Sequence, residues 1–385
     1  MIDYTALMQI FSVPRPSGSP GEQQTLVALQ GWLAQRGIDY QVSRFRIYPY
    51  SNELIGLWLL LSSVLLTLTV VLRWPWPMLV LVGLAMACVI ANVVLSWPLV
   101  IWPIAGTGEN VLVHFTAAQA QRELVIATHY DSKTELFDHT ITGQLFGRLS
   151  LCIGLALVVL LLGGLDRALF TTGSPWSLAI QIVSLILVLP VQIVVGAVGL
   201  NLLPGRWIRQ SQGAIDNGAA CAILLGLAEQ LAIADLLQNT HVTLAFFGGE
   251  EVSMQGSRAY IRSRTWALPT AVINLELLGQ NGPYVLWRYE GNVLTSVPTD
   301  SALSAQVASI VQEQTGQPAQ FVGGINSDGY AFIQAGLPTS VFGSYDTIQG
   351  GSGLHRPSDN PDRVVTERLA ETVAILAAFV QGYDQ

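Results

Sequence analysis

The side chains with the most chemical potential in this sequence are two histidines and a scattered group of carboxylates. Phe246-Phe247-Gly248-Gly249-Glu250-Glu251 ends an apolar, alternating run (Val242, Leu244, Phe246) in two glycines and two adjacent glutamates. Buried strands read this way, and glycines let a chain turn sharply at a strand end. Two neighbouring carboxylates repel each other unless cations or protons share their site. Thr128-His129-Tyr130-Asp131 sets a histidine and an aspartate two residues apart, which fits a metal ligand oriented by a carboxylate behind it. Asp216 stands just before an Ala- and Leu-rich helix, either as its N-cap or as a carboxylate aimed into a site. Glu276 ends the run Ala271-Val272-Ile273-Asn274-Leu275, and the glycine-rich stretch 350–354 presents His355. Each motif alone also has an ordinary reading as a solvated loop, a cap or a strand terminus. Together, two histidines and several carboxylates without a nucleophilic Ser or Cys pattern favour metal-assisted hydrolysis. Imidazole with carboxylate suits zinc, and two metals ~3.5–4 Å apart need a bridging carboxylate.

These residues need elements to bring them together. Apolar spacing and turn residues predict helices over 6–11, 24–37, 219–234, 301–314 and 366–379, with a further helix after the turn 326–329. Strands are predicted over 41–47, 110–115, 124–128, 242–247, 271–276 and 338–342. Strands alternating with helices imply an α/β fold with a largely parallel sheet. His129, Glu250, Glu251, Glu276 and His355 then fall just beyond strands or in the loops that follow. Ligands of open α/β sheets bind at that carboxyl edge.

Composition adds a second solvent. Of 385 residues, only 11% are charged and 51% are hydrophobic, and mean hydropathy is +0.47. Soluble globular proteins carry about 25% charged residues. Residues 54–72 and 78–97 are uncharged spans flanking Arg73-Trp74-Pro75-Trp76-Pro77, with Trp97 and Trp102 at the far end. This is the pattern of a membrane hairpin with interfacial aromatics. A second hairpin is expected from 149–165 and 177–203, turned by Asp166-Arg167 and kinked at Pro190. The predicted organisation is a soluble part in three pieces, 1–53, 104–145 and 206–385, interrupted by transmembrane hairpins over 54–103 and 146–205. The net charge of −8 disfavours a nucleic-acid partner. Three cysteines, Cys88, Cys152 and Cys221, read as small buried hydrophobes and demand no disulfide. The first 50 residues lack the basic start and apolar core of a cleavable signal.

The ordered set of motifs resembles the co-catalytic zinc aminopeptidase family of peptidase clan MH, which includes relatives of glutamate carboxypeptidase and glutaminyl cyclase. The matching pieces are Arg15-Pro16-Ser17-Gly18-Ser19, Thr128 to Asp131, Asp216 to Ala219, Phe247 to Glu251, Asn274 to Glu276, Ser327-Asp328 and Leu354-His355. They cover the soluble part of about 270 residues. The resemblance implies a zinc-exopeptidase (phosphorylase/hydrolase-like) fold in which Asp216 bridges two zinc ions. His129 and Glu276 would complete one metal's protein ligands, and Glu251 and His355 the other's. Glu250 would be the general base toward the attacking water and Asp131 would orient His129. Two departures stand out: the family usually has Asp where Glu276 stands, and some relatives have Ser-Asp-His where this chain has Ser327-Asp328-Gly329. Asp328 is expected to be structural.

The expected function is that of a membrane-anchored, two-zinc exopeptidase of aminopeptidase type acting on peptides or small amides. A glutaminyl-cyclase-like enzyme or amidohydrolase, an inactive receptor-like module and a transporter are the alternatives. The last is disfavoured because no span carries an ionisable residue of the kind transport sites need. Arg44, Arg46, Arg148, Arg206 and Arg209 flank the spans on one side, against Arg73 and Arg167 on the other. The positive-inside rule therefore expects four spans with the catalytic part in the cytoplasm. Nothing in the sequence sets the oligomeric state or the substrate's side chain.

Overall fold

The computed structural model describes residues 2–73, 80, 83–84, 87, 104–234, 237–291, 295–346 and 353–385. In chain order the elements that follow the argument are α1 (Tyr4–Ile10), α2 (Pro20–Gln35), β1 (Gln41–Ile47), α3 (Ser51–Val71), β2 (Gly106–Phe115), β3 (Arg122–His129), α4 (His139–Gly147), α5 (Leu149–Leu169) and α6 (Pro175–Leu202). They continue with α7 (Ala219–Ala234), β4 (Thr240–Phe247), α8 (Gln255–Arg262), β5 (Thr270–Glu276), β6 (Tyr284–Glu290), β7 (Val297–Pro298), α9 (Ser301–Thr315), β8 (Gln320–Ile325), α10 (Asp328–Gln334), β9 (Thr339–Ser344) and α11 (Thr366–Asp384). The chain divides into two units. One comprises Met1–Pro49, Ile104–Thr134 and Arg209–Gln385, and the other Tyr50–Pro103 and Glu135–Ile208.

In the first unit the apolar runs become one sheet, ordered β1-β2-β4-β3-β5-β9-β6-β7, with β8 also on β6. β4, β3, β5 and β9 are mutually parallel, while β2 meets β4, and β6 meets β9, antiparallel. The largely parallel sheet expected from the sequence is thus parallel at its centre and antiparallel at its flanks. The link 116–121 is too short for the crossover that parallel neighbours need, so β2 and β3 run in opposite directions.

Strand alternation splits the core into two layers. Leu124 and Ile126 of β3 pack with Leu29, Leu33, Leu224, Leu227, Leu376 and Phe379. Val125 and Ala127, on the opposite face, pack with Tyr260 of α8 and Phe332 of α10. Each such buried side chain contributes about 1.5–3 kcal/mol. Both faces of the central strands are covered, which is why they read as continuous apolar runs.

The described part of the second unit is helical. Three helical stretches, Ser51–Val71, Thr140–Leu169 and Pro175–Leu202, are long and apolar enough to cross a membrane. Ile55, Leu59, Leu66, Val159, Val188 and Val195 pack among themselves, while Leu161, Ile186 and Ile193 stay exposed. A Cβ on Gly56 would stand 2.7 Å from the Gly199 carbonyl oxygen, so bare backbone is what lets α3 and α6 approach. Pro190 lies inside α6 as expected. The expected turn at Asp166-Arg167 does not form there, because α5 continues to Leu169. Arg73 Nε lies 2.7 Å from Asp166 Oδ2, and the guanidinium also donates to the Asp166 and Phe170 carbonyls. With its charge matched, Asp166 has no need to leave the helix. The expected span 78–97, Cys88, and the aromatic turn 74–77 lie outside the described residues, four isolated positions aside.

Candidate metal centre

Register places the site. His129, the last residue of β3, pairs with Phe247, and Ala127 pairs with Asn274. Glu276, two residues beyond Asn274, is therefore level with His129 at the carboxyl edge of the central strands. Past Phe247 the chain turns through Gly249, whose φ of +71° suits glycine, and delivers Glu250 and Glu251 to the same edge.

Asp216 arrives from a different direction. It is not the N-cap that the sequence left open. It lies in the irregular turn Ala214–Gly218, with non-helical angles (φ −118°, ψ 84°) ahead of α7, and its peptide bond to Asn217 is cis. Two buried side chains hold this turn. Asp359 accepts from the backbone N–H of Ile215 at 2.8 Å and of Asp216 at 3.3 Å. Arg15 donates to the carbonyls of Gln212 and Gly213 before the turn, and to those of Phe11 and Tyr130. One guanidinium thus ties α1 and the exit of β3 to the turn that carries Asp216. His355 closes the set from a loop residue with φ of +57°, a conformation that non-glycine residues seldom adopt.

The side chains converge. His129 Nε2 lies 3.2 Å from Asp216 Oδ1, 3.7 Å from Glu276 Oε2 and 3.9 Å from Glu250 Oε2. His355 Nε2 lies 3.0 Å from Asp216 Oδ2 and 3.3 Å from Glu251 Oε1. Two groups result, His129–Asp216–Glu276 and Asp216–Glu251–His355, each with donor atoms within 4.8 Å of one another. Asp216 belongs to both and turns a different oxygen to each histidine.

Asp131 is wired to four partners. The Nδ1 of His129 faces its carbonyl oxygen at 3.2 Å and its Oδ1 at 3.5 Å, which leaves Nε2 to point into the site. The Asp131 carboxylate accepts from the backbone N–H of Glu250 and Glu251 and from the Ser17 hydroxyl. It therefore ties the β3 histidine to the double-glutamate turn. Asp328 is buried and accepts from Ser257.

Electrostatics reflects the crowding. Burial, the largest influence, pushes the Glu250 carboxyl well above its ordinary range; Glu251 and Asp328 add to the rise, and His129 opposes it. Burial would also raise Asp216, but the two imidazoles outweigh it and hold Asp216 well below the usual carboxylate value. Burial alone would lower His129, and the surrounding carboxylates, Glu250 foremost, instead hold it well above its usual value. The donor set fits divalent metal ions on its own chemistry. Four carboxylates and two imidazoles share one small buried volume, in two overlapping groups of mixed nitrogen and oxygen donors.

Several participants were not singled out from sequence. Asp359, Asn217 and Glu290 are buried and bonded to the segments that carry the site. Asp359 sits four residues past His355, which is the one local signal it offers. For Glu290, on a strand that the sequence reading missed, there was none.

Fold and site together define an α/β protein with a candidate metal centre at the carboxyl edge of its central strands. The sequence model of Peptidase family M28 matches residues 198–380, and the family resemblance carried by the ordered motifs holds. Over 88 residues the chain is 28% identical to a vacuolar membrane protease of Verticillium alfalfae, a match covering 23% of this chain and 9% of the fungal protein. An aminopeptidase from Aneurinibacillus sp. strain AM-1 superposes with a TM-score of 0.56 at 12% identity, over 98% of this chain and 92% of that one. Tannerella forsythia glutaminyl cyclase does so with a TM-score of 0.56 at 15% identity, over 98% and 96%. The three apolar helices and the fungal membrane relative support membrane association.

Proposed function

We propose that this chain is a membrane-anchored dinuclear zinc exopeptidase of aminopeptidase type, acting on peptides or small amides. One observation carries the reading: Asp216 presents Oδ1 to His129 and Oδ2 to His355, the arrangement a bridging carboxylate requires. His129, Asp216 and Glu276 would hold one ion, and Asp216, Glu251 and His355 the other. Bound zinc supplies Lewis acidity toward the attacking water and the scissile carbonyl.

The chain's own groups supply the proton traffic. Glu250 lies outside both donor groups yet beside them, so its carboxylate is placed to take a proton and pass it to the leaving amine. Adjacent residues can divide the work because their side chains diverge, Glu250 handling protons and Glu251 serving as a ligand. Asp131 orients His129 and the Glu250–Glu251 backbone together. The spans would anchor this unit with the basic flanks Arg44, Arg46, Arg148, Arg206 and Arg209 on the cytoplasmic side.

A glutaminyl-cyclase reading shares the fold similarity. Two complete donor groups, His129–Asp216–Glu276 and Asp216–Glu251–His355, favour two metals and hence the peptidase. Incubating chelated and zinc-restored protein with aminoacyl, dipeptide and N-terminal glutaminyl substrates separates the two readings. Cleavage that survives full chelation, or cyclisation without cleavage, would overturn the proposal. Protease accessibility of the hairpin turns tests the orientation, and turns exposed to the cytoplasm would reverse it.

A further inference from the structure

Beneath the metal centre lies a chain of buried polar side chains that the chemistry above does not use. Glu276 is held at both oxygens. Asn274 Nδ2 donates to Oε1 at 3.1 Å, and Asn217 Nδ2 donates to Oε2 at 2.9 Å. The Asn274 amide also donates to Ser327 Oγ at 2.9 Å. Ser327 in turn donates its hydroxyl to Glu290 Oε1, and its backbone N–H to Glu290 Oε2 at 3.0 Å. Asn274, Asn217 and Glu290 are fully buried. The space beside Glu290 is reserved as well: a Cβ on Gly329 would stand 2.7 Å from its Oε1.

The direction of each bond follows from the last. Burial pushes the Glu290 carboxyl well above its ordinary range, and the two Ser327 donors oppose that rise. In its ionised form Glu290 only accepts, so it then compels the Ser327 hydroxyl to donate toward it. The hydroxyl oxygen then offers its lone pairs to Asn274, which must turn its NH2 rather than its carbonyl to Ser327. That same NH2 is what meets Glu276; a flipped amide would set its carbonyl oxygen against the carboxylate. Glutamate is a long, flexible arm with several rotamers to restrain.

We propose that Glu290 is a positioning residue for Glu276. Acting through Ser327 and Asn274, it fixes the direction of the Glu276 carboxylate. It thereby tightens the metal position formed by His129, Asp216 and Glu276, while leaving the one formed by Asp216, Glu251 and His355 unaffected. The inference rests on the two-metal reading above and deepens it.

The test is a Zn2+ titration of the chelated full-length chain in detergent, in competition with a chromogenic chelator, with Tm measured alongside. The parent should show two sites. Glu290→Gln and Ser327→Ala should each loosen one site about 10–100-fold, the range for groups that orient metal ligands, and leave the other as in the parent. Ser327→Thr, which keeps the hydroxyl, should restore both. In a Glu251→Ala background, which disables the other position, the remaining site should be the one that Glu290→Gln weakens. Two parent-like sites in both Glu290→Gln and Ser327→Ala would overturn the inference, as would joint loss of both sites with a collapsed Tm. A parent that binds no second zinc overturns the two-metal reading, and this inference with it.

Discussion

Charges are buried in both units of this protein, but on opposite terms. In the helical unit each buried acid has a matched partner: Arg73 with Asp166, Arg206 with Glu53, and Glu135 with Thr142 and Asn201. In the sheet unit Asp216, Glu250, Glu251 and Glu276 crowd around two imidazoles, with Asp131 and Asp328 close behind. The first arrangement is complete within the chain, as apolar surroundings demand. The second holds more negative than positive charge, and that imbalance is what bound cations would relieve. Elsewhere buried acids are met by a cation or by neutral donors, as Asp166 is by Arg73 and Glu290 by Ser327; at the candidate centre four carboxylates crowd two imidazoles.

That contrast can be broken at several points. Replacing the shared residue, Asp216→Ala, should release both zinc ions and abolish hydrolysis, as metal analysis and peptide cleavage would show. Retention of two ions would remove the basis for a bridging carboxylate. Glu250→Ala should reduce kcat by about 10²–10⁴-fold, the usual worth of a general base, while zinc content stays that of the parent. In the helical unit, Arg73→Ala leaves Asp166 buried without its partner and should cost about 3–5 kcal/mol. Thermal unfolding in detergent would register this with no change in zinc content. The smallest effect, about 1 kcal/mol, is expected for Ser17→Ala, which removes one of the hydrogen bonds to Asp131.

Proton linkage sharpens the same comparison. In chelated protein the folded-state values of Glu250, Asp328 and Asp359 are raised, the last two to about 7 and about 6, chiefly by burial. A group with a raised folded value binds protons more tightly folded than unfolded. Its contribution is fully present below its unfolded value and is lost as pH rises through the folded one. His129, also raised, acts in the same direction above its unfolded value near 6.5. Asp216, lowered, acts only at the acid end, where its contribution is lost as pH falls below about 3.8. Chelated protein should therefore lose Tm between about pH 4 and pH 7. With zinc present the loss should shrink, because nearby cations favour ionised carboxyls and metal binding needs the deprotonated ligands, while the part due to Asp359 remains. Parallel Tm curves with and without zinc would contradict the surplus-charge account.

Much of the centre was legible in the sequence, and for a physical reason. His129, Glu250, Glu251 and Glu276 follow apolar runs directly, so locating the strands locates them. Asp216 was readable as a residue but not as a conformation. Its irregular turn is set by Asp359 and Arg15, which are distant in sequence and approach only in the fold. The strand Tyr284–Glu290 and its partner Gln320–Ile325 gave weak periodic signals, because four of the latter's six residues are exposed and two are glycine. With them went Glu290, whose partners lie 37 positions away. Asp166-Arg167 looked like a turn because charge ends apolar spans. Arg73 reverses that by meeting Asp166 across the unit.

The central claim is that two metal positions share Asp216. Its most direct test is the zinc stoichiometry of the purified full-length chain after chelation and Zn2+ titration, read by elemental analysis. The account predicts two zinc ions per chain in the parent and none retained in Asp216→Ala. A parent that takes up one ion or none, or an Asp216→Ala variant that still holds two, would contradict it.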